Sequence, residues 1–258
     1  MCGKVKRGAS RFMSDAIRTN ECSLLPLAII VPVYRNAETL EELAGRVCAT
    51  LADSIRDYRL IFVVDASPDD SWAKVCELAS SDERVAGILL TRNVGQHRAL
   101  LAGLSSLRAE WYAILDADLQ DPPELLKAML DRARSRGGSV FAGREGAYQS
   151  WGRMLSSRVF KRLLGWWVGL PANVGTYLVI PDAVARSMIN LNSRHPHMVV
   201  MARHCSPSWS VLPYRREARV HGYSAYSTMG RIRAAWLALR CAWECYRCTS
   251  PVAVQKAG

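Results

Sequence analysis

Apolar positions along the chain fall into short unbroken runs that alternate with segments of helical period. From Leu27 to Val33 an Ile- and Val-rich run, closed by Tyr34-Arg35-Asn36, has the pattern of a strand buried on both faces. Leu40, Leu43, Val47, Leu51 and Ile55 then recur at helical spacing, so Ala37 to Ile55 is read as the following helix. The same alternation predicts strands over Arg59–Asp65, Val85–Leu90 and Trp111–Leu115, with helices over Ser71–Ser80 and Gly95–Leu107. Pro122-Pro123 opens a helix to Arg136, because proline is tolerated in a first helical turn. A strand over Val140–Gly143, an amphipathic helix over Ser150–Val168, a strand over Gly175–Ile180 and a helix over Ala183–Leu191 come next. His197–Cys205 has no decisive period, and Trp209–Val220 reads as extended. Such alternation implies an α/β fold, a mostly parallel sheet with helices on both faces, whose ligands bind beyond the carboxyl ends of the strands. Asp65, Arg92 and Asp116 all fall at such ends, so one crevice collects them.

Composition narrows the setting. With 258 residues, half of them hydrophobic, the chain is long enough for one large α/β domain with a sizeable core or for two small ones. The organisation expected is a basic leader over residues 1–26, a catalytic domain over 27–228 and an amphipathic helix with tail over 229–258. A formal charge of +11 attracts anions, which fits nucleotide phosphates, anionic lipid surfaces or nucleic acid equally. No zinc-knuckle spacing or aromatic-plus-basic strand signature supports nucleic acid, which is set aside. Eight scattered cysteines argue for reduced thiols, and no stretch reaches the roughly 18 to 20 apolar residues of a membrane span. A cytoplasmic protein is expected, peripheral on the inner face of the membrane if its partner is a lipid.

The densest chemistry lies in Ile114-Leu115-Asp116-Ala117-Asp118-Leu119-Gln120-Asp121-Pro122-Pro123-Glu124. Carboxylates crowded into a strand-to-helix turn repel one another, unless a hard divalent cation with oxygen ligands sits among them. The alternative is a solvated acidic turn that caps a helix. Together with Val63-Val64-Asp65-Ala66-Ser67-Pro68-Asp69-Asp70-Ser71 and Arg92-Asn93-Val94-Gly95-Gln96-His97-Arg98, this segment resembles, in the same order, the family-two glycosyltransferases. The likeness is to the branch of dolichyl-phosphate mannose synthase and the polyprenyl-phosphate glycosyltransferases, and it runs from about Leu27 to about Tyr226.

The resemblance implies a GT-A type nucleotide-diphosphate-sugar-binding fold and a metal-dependent inverting hexosyltransferase using a UDP- or GDP-linked sugar. It assigns Mg²⁺ or Mn²⁺ to Asp116, Asp118 and Gln120, and the base or ribose to Asp65. Pro32, Tyr34 and Ala117 join the donor-binding set, while Arg92, Gly95 and Gln96 shape the loop over the donor. Arg144 and Arg153 resemble phosphate-contacting arginines that stabilise the departing diphosphate, with Asp118 as their catalytic partner, and a loop near Gln149–Gly152 closes over the donor. Arg219, in a basic segment ending Ser224-Ala225-Tyr226, is a further phosphate contact, and His97 is read as structural.

Three departures bear on the acceptor and on turnover. Val64 stands where relatives carry an acidic or amide residue, and Ala225 where they carry lysine. Asn173-Val174-Gly175-Thr176-Tyr177 occupies the place of an acidic-x-Gly segment near the acceptor. A sugar hydroxyl needs a general base, whereas a phosphate is already an anionic nucleophile, so the missing carboxylate favours a phosphate acceptor, which the resemblance implies is a polyprenyl phosphate. A soluble small-molecule acceptor is the rival within enzymes, and a nucleotide-sugar-binding or membrane-surface scaffold without turnover is the rival outside them. Over Met229–Arg247, Trp236 and Trp243 share one helical register and Arg233, Arg240 and Arg247 another, with cysteines on the opposite flank. That helix fits a membrane interface, the domain itself or a second subunit of a homo-oligomer.

Overall fold

A computed structural model describes residues 24–145, 169, 171, 173–215 and 228–248, with the side chains of the last segment described over 236–247. Arg153, Arg219, the 149–152 loop and the helix expected over 150–168 lie outside the described residues.

The strands are β1 (Leu25–Val33), β2 (Tyr58–Val64), β3 (Val85–Leu89), β4 (Ala109–Ile114), β5 (Ser139–Glu145), β6 (Val174–Pro181) and β7 (Trp209–Arg215). They form one sheet in the order β3-β2-β1-β4-β6-β5-β7, with β6 alone reversed between β4 and β5. Leu27 to Val31 are all fully buried because both faces of β1 are covered. Side chains alternate across a strand, so Leu27, Ile29 and Val31 enter one core and Ala28 and Ile30 the other. The first core is closed by α1 (Leu40–Leu51), α2 (Ser71–Ser81) and α4 (Leu125–Arg136). On the second lie α3 (Gln96–Ser105), α5 (Asp182–Asn190), α6 (Met198–Cys205) and α7 (Thr228–Cys248).

Several boundaries differ from the sequence pattern for local reasons. The helix expected over Ala37–Ile55 is a 3₁₀ turn, Ala37–Thr39, followed by α1, which ends at Leu51 although Ile55 still packs on the core. β1 begins at Leu25, two residues inside the expected leader. The undecided stretch at 197–205 is helical, because Met198, Met201 and Ala202 share a buried face. The last helix packs on the domain through Ala238, Cys241, Ala242 and Cys245, small residues that let it approach α6.

Helix α3 sits close on the sheet because Gly103 has no side chain. A Cβ there would lie 2.4 Å from Ile30 Cγ2 and 3.0 Å from Val63 Cγ2. Gly103→Val is therefore expected to lower the unfolding free energy by about 1–3 kcal/mol through overpacking. A urea midpoint that falls with an unchanged slope is the expected result, and an unmoved midpoint would show that the helix lifts off freely.

Candidate active site

The chain winds from β1 outward to β3, then crosses back to β4 on the other side of β1. The order of strands thus reverses between β1 and β4, and their carboxyl ends border a crevice. Asp65 follows β2 at this edge and is almost fully buried. Its carboxylate accepts the Val94 and Gly95 N–H groups at 2.7 and 2.8 Å, and the Asn93 side chain donates to its carbonyl at 3.2 Å. Gly95 takes φ +88°, a conformation that strains any other residue, and N-caps α3. Asp65 therefore fixes the loop that delivers Gln96, whose amide donates to Asp116 Oδ1 at 2.7 Å. Arg92 on the same loop is exposed.

Reversal of β6 completes the environment of Asp116. Because β6 runs against β4, with Ile114 opposite Leu178, its first residues reach the carboxyl edge of the parallel strands. Thr176 Oγ1 accordingly donates to the Asp116 carboxylate, at 3.2 and 3.1 Å from its two oxygens. Burial, then the neighbouring Asp121 and Asp118, push the Asp116 carboxyl up to about 6, against the opposing pull of Arg144 and Thr176.

The turn after Asp116 is pinned from both sides. Thr39 Oγ1 donates to the Ala117 carbonyl at 2.6 Å, and Asp118 Oδ1 accepts the Gln120 N–H at 3.2 Å. Leu119 is left-handed at φ +57° with its side chain fully buried. Arg35 and Ala66, in the loops after β1 and β2, are also left-handed. Strained backbone of this kind concentrates where loops are held in shape for a ligand. Asp69 braces the same two loops by accepting Ser67 and Ser71 hydroxyls at 2.5 and 2.7 Å and the Ala37 N–H at 3.2 Å. Pro32 lies within β1, paired with Val63, and Tyr34 just beyond it is 41 % exposed beneath the Arg35 guanidinium.

Asp121, the third carboxylate of the acidic segment, is fully buried. It accepts the Tyr214 hydroxyl from β7, and its other oxygen lies 3.6 Å from Arg144 Nη2 at the end of β5. Arg144 Nε also donates to the Tyr214 oxygen at 3.2 Å. Burial works against the Arg144 charge, but Asp121 and Tyr214 outweigh it and hold the guanidinium protonated. Burial and then Asp121 raise the Tyr214 phenol above its ordinary range. Gly175 lies under the guanidinium, where a Cβ would come within 2.7 Å of Nη2.

The edge thus brings together Asp65, Gly95, Gln96, Asp116, Ala117, Asp118, Gln120 and Arg144 of the residues expected from sequence. It adds Thr39, Asp121, Thr176 and Tyr214, which sequence reasoning did not assign. Of these, Asp121 stood in the acidic segment and Thr176 in the departing Asn-x-Gly segment, but Thr39 and Tyr214 had no local signal.

A sheet that gathers an acidic turn and a held arginine at its switch point is the GT-A architecture of the nucleotide-sugar-dependent glycosyltransferases. Residues 28–205 match glycosyl transferase family 2, and the chain belongs to that family and is a glycosyltransferase. Among curated relatives, an undecaprenyl-phosphate 4-deoxy-4-formamido-L-arabinose transferase from Edwardsiella ictaluri is 28% identical, over 83% of this chain and 67% of its own length. The protein of that name from Erwinia tasmaniensis is 30% identical, over 86% and 69%. Among solved structures, glucosyl-3-phosphoglycerate synthase from Mycobacterium tuberculosis, crystallised with Mn²⁺, UDP-glucose and phosphoglyceric acid, superposes with a TM-score of 0.57. It is 16% identical and aligns over 84% of this chain and 80% of its own.

Proposed function

We propose that this protein moves a hexosyl group, with inversion, from a UDP- or GDP-linked sugar to a polyprenyl phosphate at a membrane surface. The observation that carries the reading is the acidic turn at the switch point, where burial and then the neighbouring carboxylates raise Asp116, set beside a fixed Arg144. A turn so short of positive charge fits a divalent cation, and Mg²⁺ is typically held by one or two carboxylates plus substrate phosphates. Asp116 and Asp118 would hold it, with Gln120 behind them. When bound, it supplies charge neutralisation for the departing nucleoside diphosphate.

The chain's own residues do the rest. Gln96 and Thr176 orient Asp116, so its carboxylate is aimed before the donor arrives. Arg144, kept protonated by Asp121, faces the developing diphosphate charge, with Arg153 and Arg219 as further phosphate contacts. Tyr34, Pro32 and the Asp65–Gly95 loop border the base and ribose, with Arg92 at their rim. Near the acceptor, Asn173 donates to the Arg144 carbonyl and Thr176 is engaged by Asp116, so neither acts as a general base. A phosphate oxygen attacks the anomeric carbon without needing one. The names of the curated relatives support the same acceptor class.

The test is nucleoside diphosphate release from a panel of UDP- and GDP-sugars, with Mg²⁺ or Mn²⁺, and with or without a short-chain polyprenyl phosphate. One donor is expected to be consumed rapidly only when metal and lipid phosphate are both present. Turnover indifferent to chelator would remove the metal, and turnover indifferent to the lipid would move the acceptor to a soluble molecule.

A further inference from the structure

Helix α7 presents two faces. Its small residues and cysteines are buried against the second core, while Trp236, Trp243 and Tyr246 remain 49, 53 and 65 % exposed. Between this outer face and the loop before α6 opens a cleft of about 530 Å³, lined by Arg194, Arg240 and Arg247 together with Trp236 and Trp243. The Arg240 guanidinium lies 4.0 Å from the centre of the Trp236 ring, and Trp243 stacks beside Tyr246 at 6.3 Å. The acid in the cleft, Glu244, is already engaged: it pairs with His195 at 2.7 Å and accepts the Ser193 hydroxyl at 2.5 Å, which locks α7 to the loop. Three arginines set among half-exposed aromatic rings leave a cationic, amphipathic surface.

That surface adjoins the crevice. The Arg194 carbonyl accepts Arg98 Nη2 from α3 at 2.7 Å, His97 Nδ1 accepts the Met198 N–H at 3.3 Å, and the His97 and His197 rings lie 4.6 Å apart. Gln96, which holds Asp116, precedes His97 directly. The cleft therefore stands on the carboxyl-edge side of the sheet, a short step along α3 from the acidic turn.

We infer that the cleft between the 192–197 loop and α7 is a docking site for the headgroups of an anionic phospholipid bilayer, which it holds beside the donor crevice. Charge complementarity selects this occupant. Phosphodiester anions satisfy the arginines, and indole and phenol rings favour the polar–apolar boundary of a bilayer. No described helix is long and apolar enough to cross a membrane, and arginines and aromatic rings exposed on one face of α7 suit a helix lying in a bilayer interface. The inference deepens the proposed reaction and rests on it for its purpose, but binding alone tests it.

The full chain is mixed with phosphatidylcholine vesicles, with or without phosphatidylglycerol, and bound protein is measured by flotation at low and high salt. Binding is expected only with phosphatidylglycerol and is expected to weaken with salt. The double variant Arg240→Gln/Arg247→Gln should bind on the order of 30-fold more weakly, from about fivefold for each arginine near the surface. Its thermal midpoint should stay unchanged. Equal binding of parent and variant, binding to phosphatidylcholine alone, or no binding by the parent would each overturn the site. So would a parent dimer in sedimentation that the variant dissolves, since the face would then belong to a second copy. Vesicle binding without any sugar transfer would instead leave the docking site standing and remove the proposed reaction.

Discussion

Asp116→Asn is expected to stabilise the metal-free protein at neutral pH while reducing glycosyl transfer by at least about 100-fold. In the folded state the Asp116 carboxyl is pushed from 3.8 up to about 6 by burial and by Asp121 and Asp118. A folded value above the unfolded one means that ionisation destabilises the fold. The penalty is absent below about pH 4, where the acid is protonated in both states, and grows as pH rises through about 6. At about 1.4 kcal/mol per pH unit it reaches about 3 kcal/mol at neutral pH. An amide keeps the local hydrogen bonds: its oxygen accepts from Gln96 and its nitrogen donates to the Thr176 hydroxyl. Urea unfolding with chelator present, at pH 4 and at pH 7.5, measures the difference. The variant should gain little at the lower pH and most at the higher one. Equal stability at both would mean that Arg144 already neutralises the turn, and retained transfer would mean that no cation is organised there.

The same residue shows what the sequence could and could not convey. Asp116 was readable as a site residue because an apolar strand ends at it and a proline step follows, both local signals. Its partners were not readable. Thr176 reaches it only because β6 runs backwards, and the apolar run Val174–Pro181 carries no mark of direction. Asp65 shows a related gap. Its place at a strand end was legible, but its carboxylate engages the Val94 and Gly95 backbone N–H groups, which every non-proline residue possesses. Helix α7 was legible as a striped helix, yet its stripes fit domain, membrane and partner alike until Cys241 and Cys245 were seen packed inward. Burial also separates Asp118 from Asp121, three residues apart in one acidic run, because Tyr214 closes over Asp121 from 93 residues away.

That closure makes Asp121→Ala the most damaging single change expected for the fold. The carboxylate is fully enclosed, so removing it strands the Tyr214 hydroxyl and takes the counter-charge from Arg144. Removing one member of a buried charged pair typically costs 3–5 kcal/mol. The Arg144 side chain is 29 % exposed and can recruit water, which places the loss near the lower end, at about 3 kcal/mol. A double-mutant cycle with Tyr214→Phe isolates the hydroxyl–carboxylate contribution, and hydrogen bonds to charged groups are worth roughly 1.5–3 kcal/mol. Additive effects of the two substitutions would show that the contact is incidental. Strong coupling, together with a loss of transfer in Tyr214→Phe measured under conditions where the variant is still fully folded, would identify Tyr214 and Asp121 as positioning residues that act through Arg144. Such a result would explain why a glycosyltransferase buries a carboxylate so close to the one place where it already has too many.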